Sequence, residues 1–283
     1  MQIIQKINQL RRSIAQLKSG GKTIGFVPTM GAFHPGHLSL FRRSKESNDV
    51  TLVSIFVNPL QFGPKEDFHK YPRDFKKDIS LAKKENVDII FHPSVFEMYP
   101  SRFLTLVHVR DLTSRMCGES RPGHFDGVAT VVTKLLNIVE PDVMYLGQKD
   151  AQQCVVLKQV VNDLDIPVKI AVVPTLRESD GLAMSSRNVY LTPKQRKEAV
   201  FLNRALEAAK IRILKGERRT SRIIQDIKKM ILNNTSGKID YIECVNAQDL
   251  DPVKQFKGNI LIAIAVRIGK TRLIDNIVIK LPN

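Results

Sequence analysis

Two histidines three residues apart, His34 and His37, lie in a stretch that reads PTMGAFHPGH over residues 28–37. Residues 24–27 before it are a short apolar run closed by Pro28, the pattern of a buried parallel strand. From His37 onward Leu38, Leu40 and Phe41 continue as a helix. Pro35 suits the first helical turn, where its missing N–H has no partner to lose. Gly36, without a Cβ, is expected to let a bulky anion approach the backbone. At i and i+3 the two imidazoles share one face of that turn, beside free N–H groups and a positive helix end that favour phosphate. Imidazoles in hydrogen-bond range can stabilise charge developing on an α-phosphate and a departing pyrophosphate. The plain alternatives are two surface histidines or half of a zinc site. The preceding strand, with Thr29, Met30 and Gly31 before the pair and Gly36 inside it, favours phosphate. The chain has no Gly-x-x-x-x-Gly-Lys-Ser/Thr and no Gly-x-Gly-x-x-Gly, so this is not a P-loop or a dinucleotide fingerprint.

Four other polar clusters stand out, two of them, at 58–61 and 147–153, just past apolar runs. Asn58 and Gln61 present two amides that can bond hydroxyls and a carboxylate without adding charge, which suits a small polyhydroxy acid. Residues 147–153, GQKDAQQ, open a helix. There Lys149 can neutralise charge shared by an attacking carboxylate and a phosphate, Asp150 can accept from ribose hydroxyls, and Gln153 lies one turn on. Taken alone, that segment also reads as helix capping by Asp150 with Lys149 in water. Residues 184–188, MSSRN, follow a flexible approach at 179–181. Their two hydroxyls and the Arg187 guanidinium could grip β- and γ-phosphates on a loop that closes over nucleotide. The basic loop at residues 121–127, RPGHFDG, either touches phosphate or folds over the site. Asp78 and Asp150 are the nearest carboxylates to assist Mg²⁺, although ATP itself supplies most ligands of such an ion.

These clusters need a scaffold. Residues 3–18 carry apolar positions at helical spacing and are expected to form a helix ended by Gly20 and Gly21. Strands are expected at 50–57, 87–91, 143–146 and 168–173, and helices at 75–84, 125–140 and 151–164. Residues 104–109 are expected to add a strand at an edge or in an insertion. Alternating strands and helices predict an α/β fold, a Rossmann-like doubly wound parallel sheet that binds ligands beyond the carboxyl ends of its strands. Pro174 marks the expected boundary between a nucleotide- and acid-binding domain, 1–174, and a second, smaller α+β C-terminal domain, 175–283. The latter carries the 176–190 loop, helices at 193–215 and 221–233, and strands at 239–245, 260–266 and 273–279, the last two a hairpin through Gly269 and Lys270. A short hinge between the parts is expected.

Composition excludes several classes. With 283 residues, 43% hydrophobic and 25% charged, the chain can bury a sizeable core. Its longest apolar run, 260–266, is far too short to span a bilayer, and its first residues lack a secretory pattern. Cys117, Cys154 and Cys244 are scattered and form no Cys-x-x-Cys, as ordinary thiols of a reducing cytoplasm do. The net charge of +16 raises nucleic acid as a partner, predicting salt-sensitive RNA binding. The basic residues alternate with apolar ones on helical patterns, however, and 6% aromatics without Trp offer no base-stacking platform.

Together the five segments at 28–37, 56–62 (FVNPLQF), 121–127, 147–153 and 184–188 resemble the pantoate–β-alanine ligases, and the likeness runs end to end. That family belongs to the nucleotidylyltransferase superfamily, which includes class I aminoacyl-tRNA synthetases. The resemblance implies that pantoate attacks the α-phosphate of Mg·ATP to give pantoyl adenylate, and that β-alanine then displaces AMP. It implies catalytic roles for His34, His37, the residue usually named as proton donor, and Lys149. ATP contacts are implied at Met30, Gly31, Ala32, Phe33, Pro35, Gly36, Gly147, Gln148, Asp150, Leu176, Met184, Ser185, Ser186 and Arg187. Asn58, Gln61 and Gln153 would seat pantoate and β-alanine. It further implies a cytoplasmic homodimer that binds neither nucleic acid nor membrane. Phe33, Pro35 and Ala151 depart from the commonest family pattern without removing a reactive group. A nucleotidylyltransferase that leaves its adenylyl group on a phosphate acceptor is the neighbouring alternative, but it would need cations where Asn58 and Gln61 stand.

Overall fold

The computed structural model describes residues 1–64 and 66–282. Six strands, β1 (Gln2–Ile4), β2 (Ile24–Thr29), β3 (Val50–Ile55), β4 (Ile89–Phe91), β5 (Val143–Gly147) and β6 (Lys169–Val173), form one sheet in the order β1-β4-β3-β2-β5-β6. Every pairing in it is parallel. All six residues of β3 are buried, as expected for a strand covered on both faces. Alternate side chains serve two layers. Phe26, Leu52, Phe91 and Met144 pack toward α1 (Ile7–Ser19), with α6 (His124–Val139) and α7 (Ala151–Asp163) in the same layer. Val27, Val53, Ile90 and Tyr145 pack toward α2 (Pro35–Ser47) and α3 (Phe75–Lys84). Short helices α4 (Val95–Met98) and α5 (Cys117–Ser120) lie in the connections.

From β2 the chain steps outward through β3 to β4, and from the adjacent β5 it steps the other way to β6. The order therefore reverses between β2 and β5, which opens a crevice past their carboxyl ends. Thr29 and Gly147 end those two strands.

Beyond β6, helices α8 (Pro193–Leu214) and α9 (Thr220–Asn234) precede three antiparallel strands, β7 (Lys238–Asn246), β8 (Asn259–Ile268) and β9 (Thr271–Lys280). One face of this sheet packs Ile262, Ile264 and Ile277 against Leu202, Leu206, Ile223 and Ile227 of the two helices. The other face turns Val245, Leu261 and Ala263 onto Phe125 and Ala129 of α6 and Ala151 and Val155 of α7. The smaller unit is thus joined to the larger by a continuous apolar seam, and β9 passes beside the end of β5.

Two expectations fail. The first residues do not begin a helix: Gln2, Ile3 and Ile4 pair with Ile89, Ile90 and Phe91 as an edge strand, and α1 starts only at Ile7. Ile3 and Ile7 fit helical spacing, but burying Ile4 against β4 satisfies backbone groups that a helix end would leave open. The 104–109 segment forms no strand. Leu104 is 80% exposed and Leu106 61%, and the Val107 amide donates to Thr130 Oγ1 instead of to a ladder.

Candidate active site

The α2 N-terminus is capped by imidazoles. His34 has extended backbone and its Nδ1 accepts from the Gly36 amide at 3.1 Å. His37 Nδ1 accepts from the His34 amide at 3.3 Å, so the two side chains close a reciprocal capping box. Because both Nδ1 atoms accept, the proton of each neutral ring sits on Nε2, leaving two N–H donors for the crevice. The rings lie 4.1 Å apart between centroids. Burial, then the Lys149 ammonium, push His34 down to about 4; burial, with His34 and Lys149, holds His37 well below its ordinary value. Both imidazoles are therefore neutral at neutral pH, each with an Nε2–H group as its remaining donor.

This arrangement corrects two expectations. The amides of His34 and Gly36 are not free for phosphate, because the imidazoles occupy them, and the His37 amide donates to the His34 carbonyl. Gly36 also makes room for the cap, since a Cβ there would meet the His34 ring at 2.8 Å. Asp78 is also reassigned. It is 2% exposed, and its carboxylate accepts from the Ala32 and Phe33 amides at 2.9 and 2.7 Å, so it holds the turn after β2 instead of facing a metal. Gly31 at φ +81° permits that turn, where a Cβ would strike Asp78 Oδ2 at 2.8 Å.

Asn58, expected to meet substrate, is 1% exposed and makes all four of its hydrogen bonds within the protein. Its Nδ2 donates to Gln61 Oε1 (3.1 Å) and the Gly127 carbonyl (3.0 Å), while its Oδ1 accepts from the Leu60 amide (3.3 Å) and Tyr99 hydroxyl (2.9 Å). It aims Gln61, whose Nε2 has only the weak acceptor Met30 Sδ at 3.1 Å. The 121–127 loop supports the same residue from behind. His124 Nδ1 donates to the Gln61 carbonyl at 2.8 Å and its Nε2 accepts from Arg121 at 2.9 Å. Arg121 in turn grips Glu66 with a two-pronged ion pair at 2.5 and 2.6 Å. Burial, then Arg121, lower His124 to about 4.

At the end of β5 a single 3₁₀ turn, Gln148–Asp150, leads into α7. Asp150 makes no side-chain cap, so the capping reading of this segment fails. Its carboxylate stands 3.8 Å from Lys149 Nζ, and the lysine side chain is 20% exposed. Across the crevice, Arg177 and Ala183 pair as a bridge and the Met184 amide donates to the Leu176 carbonyl, which shapes the approach to the Ser-Ser-Arg turn. Ser185 Oγ accepts from the Arg187 amide at 3.3 Å, and Ser186 Oγ lies 3.4 Å from the Tyr71 hydroxyl. The Arg187 guanidinium is paired with Asp67 at 3.1 and 3.2 Å.

All these groups converge. A chamber of about 230 Å³ is lined by Met30, His34, Gly36, His37, Asn58, Gln61, Gly147, Lys149, Asp150, Gln153, Leu176, Met184, Ser185, Ser186 and Arg187. It opens into a cleft of about 1200 Å³ between the two units, shared at Arg121, His124, Lys149, Asp150, Gln153, Ser185 and Arg187. Five expected ligand contacts do not line the chamber: Gly31, Ala32, Phe33, Pro35 and Gln148. Phe33 is core, 5% exposed, and the Gln148 amide reaches Asn276 instead. Among the described residues no cluster of three His, Cys, Asp or Glu side chains could hold a metal. Asp150 is the one carboxylate among the chamber's lining residues. Sequence reasoning passed over Glu66, Asp67, Tyr71, Tyr99, Asp275 and Asn276, which act through partners far along the chain. The sequence signal that points toward them is the basic 121–127 loop.

Residues 2–278 match the model of the family described as pantoate-beta-alanine ligase. A pantothenate synthetase of Caldicellulosiruptor saccharolyticus is 57% identical over 280 residues, covering 99% of this chain and 100% of that protein. One from Acetivibrio thermocellus is 52% identical with the same coverage. The crystal structure of pantothenate synthetase from Thermus thermophilus superposes with a TM-score of 0.93 at 42% identity, over 98% of this chain and 99% of that one. A pantoate-beta-alanine ligase from Francisella tularensis, complexed with beta-gamma ATP and beta-alanine, gives 0.80 at 37% identity, over 98% and 97%. By profile, sequence and fold alike, the chain belongs to the pantoate–β-alanine ligase family.

Proposed function

We propose that this enzyme condenses pantoate with β-alanine to pantothenate, driven by cleavage of ATP to AMP and pyrophosphate through pantoyl adenylate. The observation that carries the reading is the meeting of His34, His37, Lys149, Gln61 and Gln153 around one chamber at the reversal point of the sheet. In the first step a pantoate carboxylate oxygen bonds to the α-phosphorus, and the bond to the bridging oxygen breaks, so that pyrophosphate leaves with the electron pair. The His34 and His37 Nε2–H groups donate to phosphate oxygens as charge builds there. Being neutral and already held by the capping box, they need no reorganisation at that moment. Lys149 lies between carboxylate and α-phosphate, offsetting the repulsion of two anions. In the second step the β-alanine amine bonds to the acyl carbon, the bond to the AMP oxygen breaks, and the nitrogen releases a proton.

Gln61 and Gln153 seat pantoate by uncharged hydrogen bonds, with Asn58 and His124 fixing Gln61. Gly147, Asp150, Leu176 and Met184 lie against ribose and adenine. Ser185, Ser186 and Arg187 take the outer phosphates, Arg187 exchanging Asp67 for them. Asp150 is the carboxylate that would meet the water shell of a triphosphate-held Mg²⁺, whose chemistry would be to offset phosphate charge. The division at Pro174 into a 1–174 domain and a 175–283 domain that carries the clamping loop, a homodimer and a cytoplasmic location belong to the same proposal. Incubation with pantoate, β-alanine and Mg·ATP should give equal amounts of pantothenate and AMP. Formation of ADP, or no turnover, would reject the reading.

A further inference from the structure

Two neighbouring residues on β9, Asp275 and Asn276, are 3% and 4% exposed although both are polar. Buried polar groups in a strand need partners, and the two find theirs in opposite directions because successive side chains leave a strand on opposite faces. Asn276 faces the larger unit. Its Nδ2 donates to the carbonyls of Gln148 (3.0 Å) and Lys149 (2.8 Å), and its Oδ1 accepts from Gln148 Nε2 at 3.2 Å. Asp275 accepts a two-pronged pair from Arg177 at 2.7 and 2.9 Å. Arg177 Nη1 also donates to the Gly181 carbonyl at 3.2 Å, bracing the turn that leads to Met184 and the Ser-Ser-Arg segment. One dipeptide therefore holds, from its two sides, the backbone of the Lys149 turn and the stem of the Ser185–Arg187 turn.

We propose that Asp275 and Asn276 are positioning residues that register these two phosphate-facing turns against each other. The proposal rests on the function given above and adds to it a source of alignment outside the chamber. The Lys149 turn belongs to the parallel-sheet unit and the Ser185–Arg187 turn lies beyond its last strand. The strands they leave are paired as far as Gly147 and Val173, and beyond that last rung the shared anchor on β9 holds the two turns in register. The neighbouring strand backs this anchor: Asp275 and Asn276 pair with Ile264 and Ala263 of β8, both buried. Misplacing Lys149 by about 1 Å is enough to cost about 10²-fold in a reaction that depends on oriented charges. The alignment matters most for adenylate formation, in which lysine and outer-phosphate clamp act on one ATP. It matters little once pyrophosphate has left.

The test divides the reaction. Asn276→Ala and the isosteric Asn276→Asp, whose carboxylate would face two carbonyls, are compared with the parent enzyme in single-turnover release of pyrophosphate from ATP and pantoate. The same proteins are given preformed pantoyl adenylate and β-alanine. Release of pyrophosphate should fall on the order of 10²-fold. Conversion of supplied adenylate should change by less than about threefold, with KM for β-alanine unmoved, since no group that touches the amine is altered. Arg177→Lys, which keeps the charge but loses the fork, should slow the first step about tenfold. Amide hydrogen exchange should quicken at 148–151 in the Asn276 variants and leave β8 and β9 protected. Unchanged pyrophosphate release overturns the proposal, as do equal losses in both half-reactions or exchange that quickens throughout β9. A parent enzyme inactive toward pantoate would instead overturn the function, while the exchange pattern would still decide the anchoring.

Discussion

Three imidazoles in or beside the chamber are folded in the neutral form, and acid should expose this. His34 and His124 titrate near 4 in the folded chain against an ordinary 6.5. Below 6.5 the unfolded chain takes up protons that the folded chain refuses, so stability falls as pH drops through the interval between the two values. Going from pH 7.5 to 5.0, a group with those two values loses about 2 kcal/mol. His34 and His124 together account for about 4 kcal/mol, and His37, held low as well, adds in the same direction. Against a total of about 5–15 kcal/mol that is a large share, equivalent to a fall in Tm of about 10 °C for a chain of this size. Carboxylates held down by hydrogen bonds, such as Asp49 by Thr23 and Glu217 by the Arg219 amide, lose their contribution only at lower pH and do not confuse the interval. The decisive variant is His34→Asn. Asparagine keeps an acceptor for the Gly36 amide and is a good N-cap, but it does not titrate. Calorimetry at the two pH values should show the acid loss reduced by about 2 kcal/mol relative to the parent. An equal loss in parent and variant, or a parent whose Tm does not move, would refute the assignment of a buried neutral His34.

His37→Ala should lower turnover by about 10²-fold or more, since it removes a donor aimed at developing charge, and steady-state AMP formation measures this. The same change unpairs the His34 amide and should lower Tm by the few degrees that about 1 kcal/mol represents. Asn58→Ala strands the Tyr99 hydroxyl, the Gly127 carbonyl and Gln61 Oε1. Urea denaturation should show a loss of about 3 kcal/mol, with KM for pantoate raised as Gln61 loses its aim; a loss confined to KM would show that Asn58 binds substrate directly. Lys149→Ala should abolish the pyrophosphate burst and leave the urea midpoint within experimental error, because the ammonium's ion pair with Asp150, at 3.8 Å, is a loose one. A normal burst would remove it from the mechanism.

Much of this was legible in the sequence because it is local. Largely apolar runs over 50–57 and 143–146 marked buried strands, and helical spacing marked α3, α6 and α8. Turn residues after each strand marked where chemistry could sit, and the helix-opening Pro35 and the His34/His37 spacing made one of those turns specific. The alternation of strand and helix then required a parallel sheet, whose carboxyl edge is the place for a ligand. What could not be read is what depends on which partner a polar atom finds across the fold. Asn58 and Asp78 look like ligands in one dimension, yet each spends its hydrogen bonds on backbone or side chains of another segment. Asp275 and Asn276 look like ordinary strand residues, yet they reach both phosphate-facing turns. Ile3 matched a helix until the edge of β4 offered its backbone a ladder. Residue types and their spacing determine which elements form and which groups can react. Only the packed chain decides which polar groups are already satisfied and which are left to face a substrate, because hydrogen-bond saturation is a property of neighbours in space.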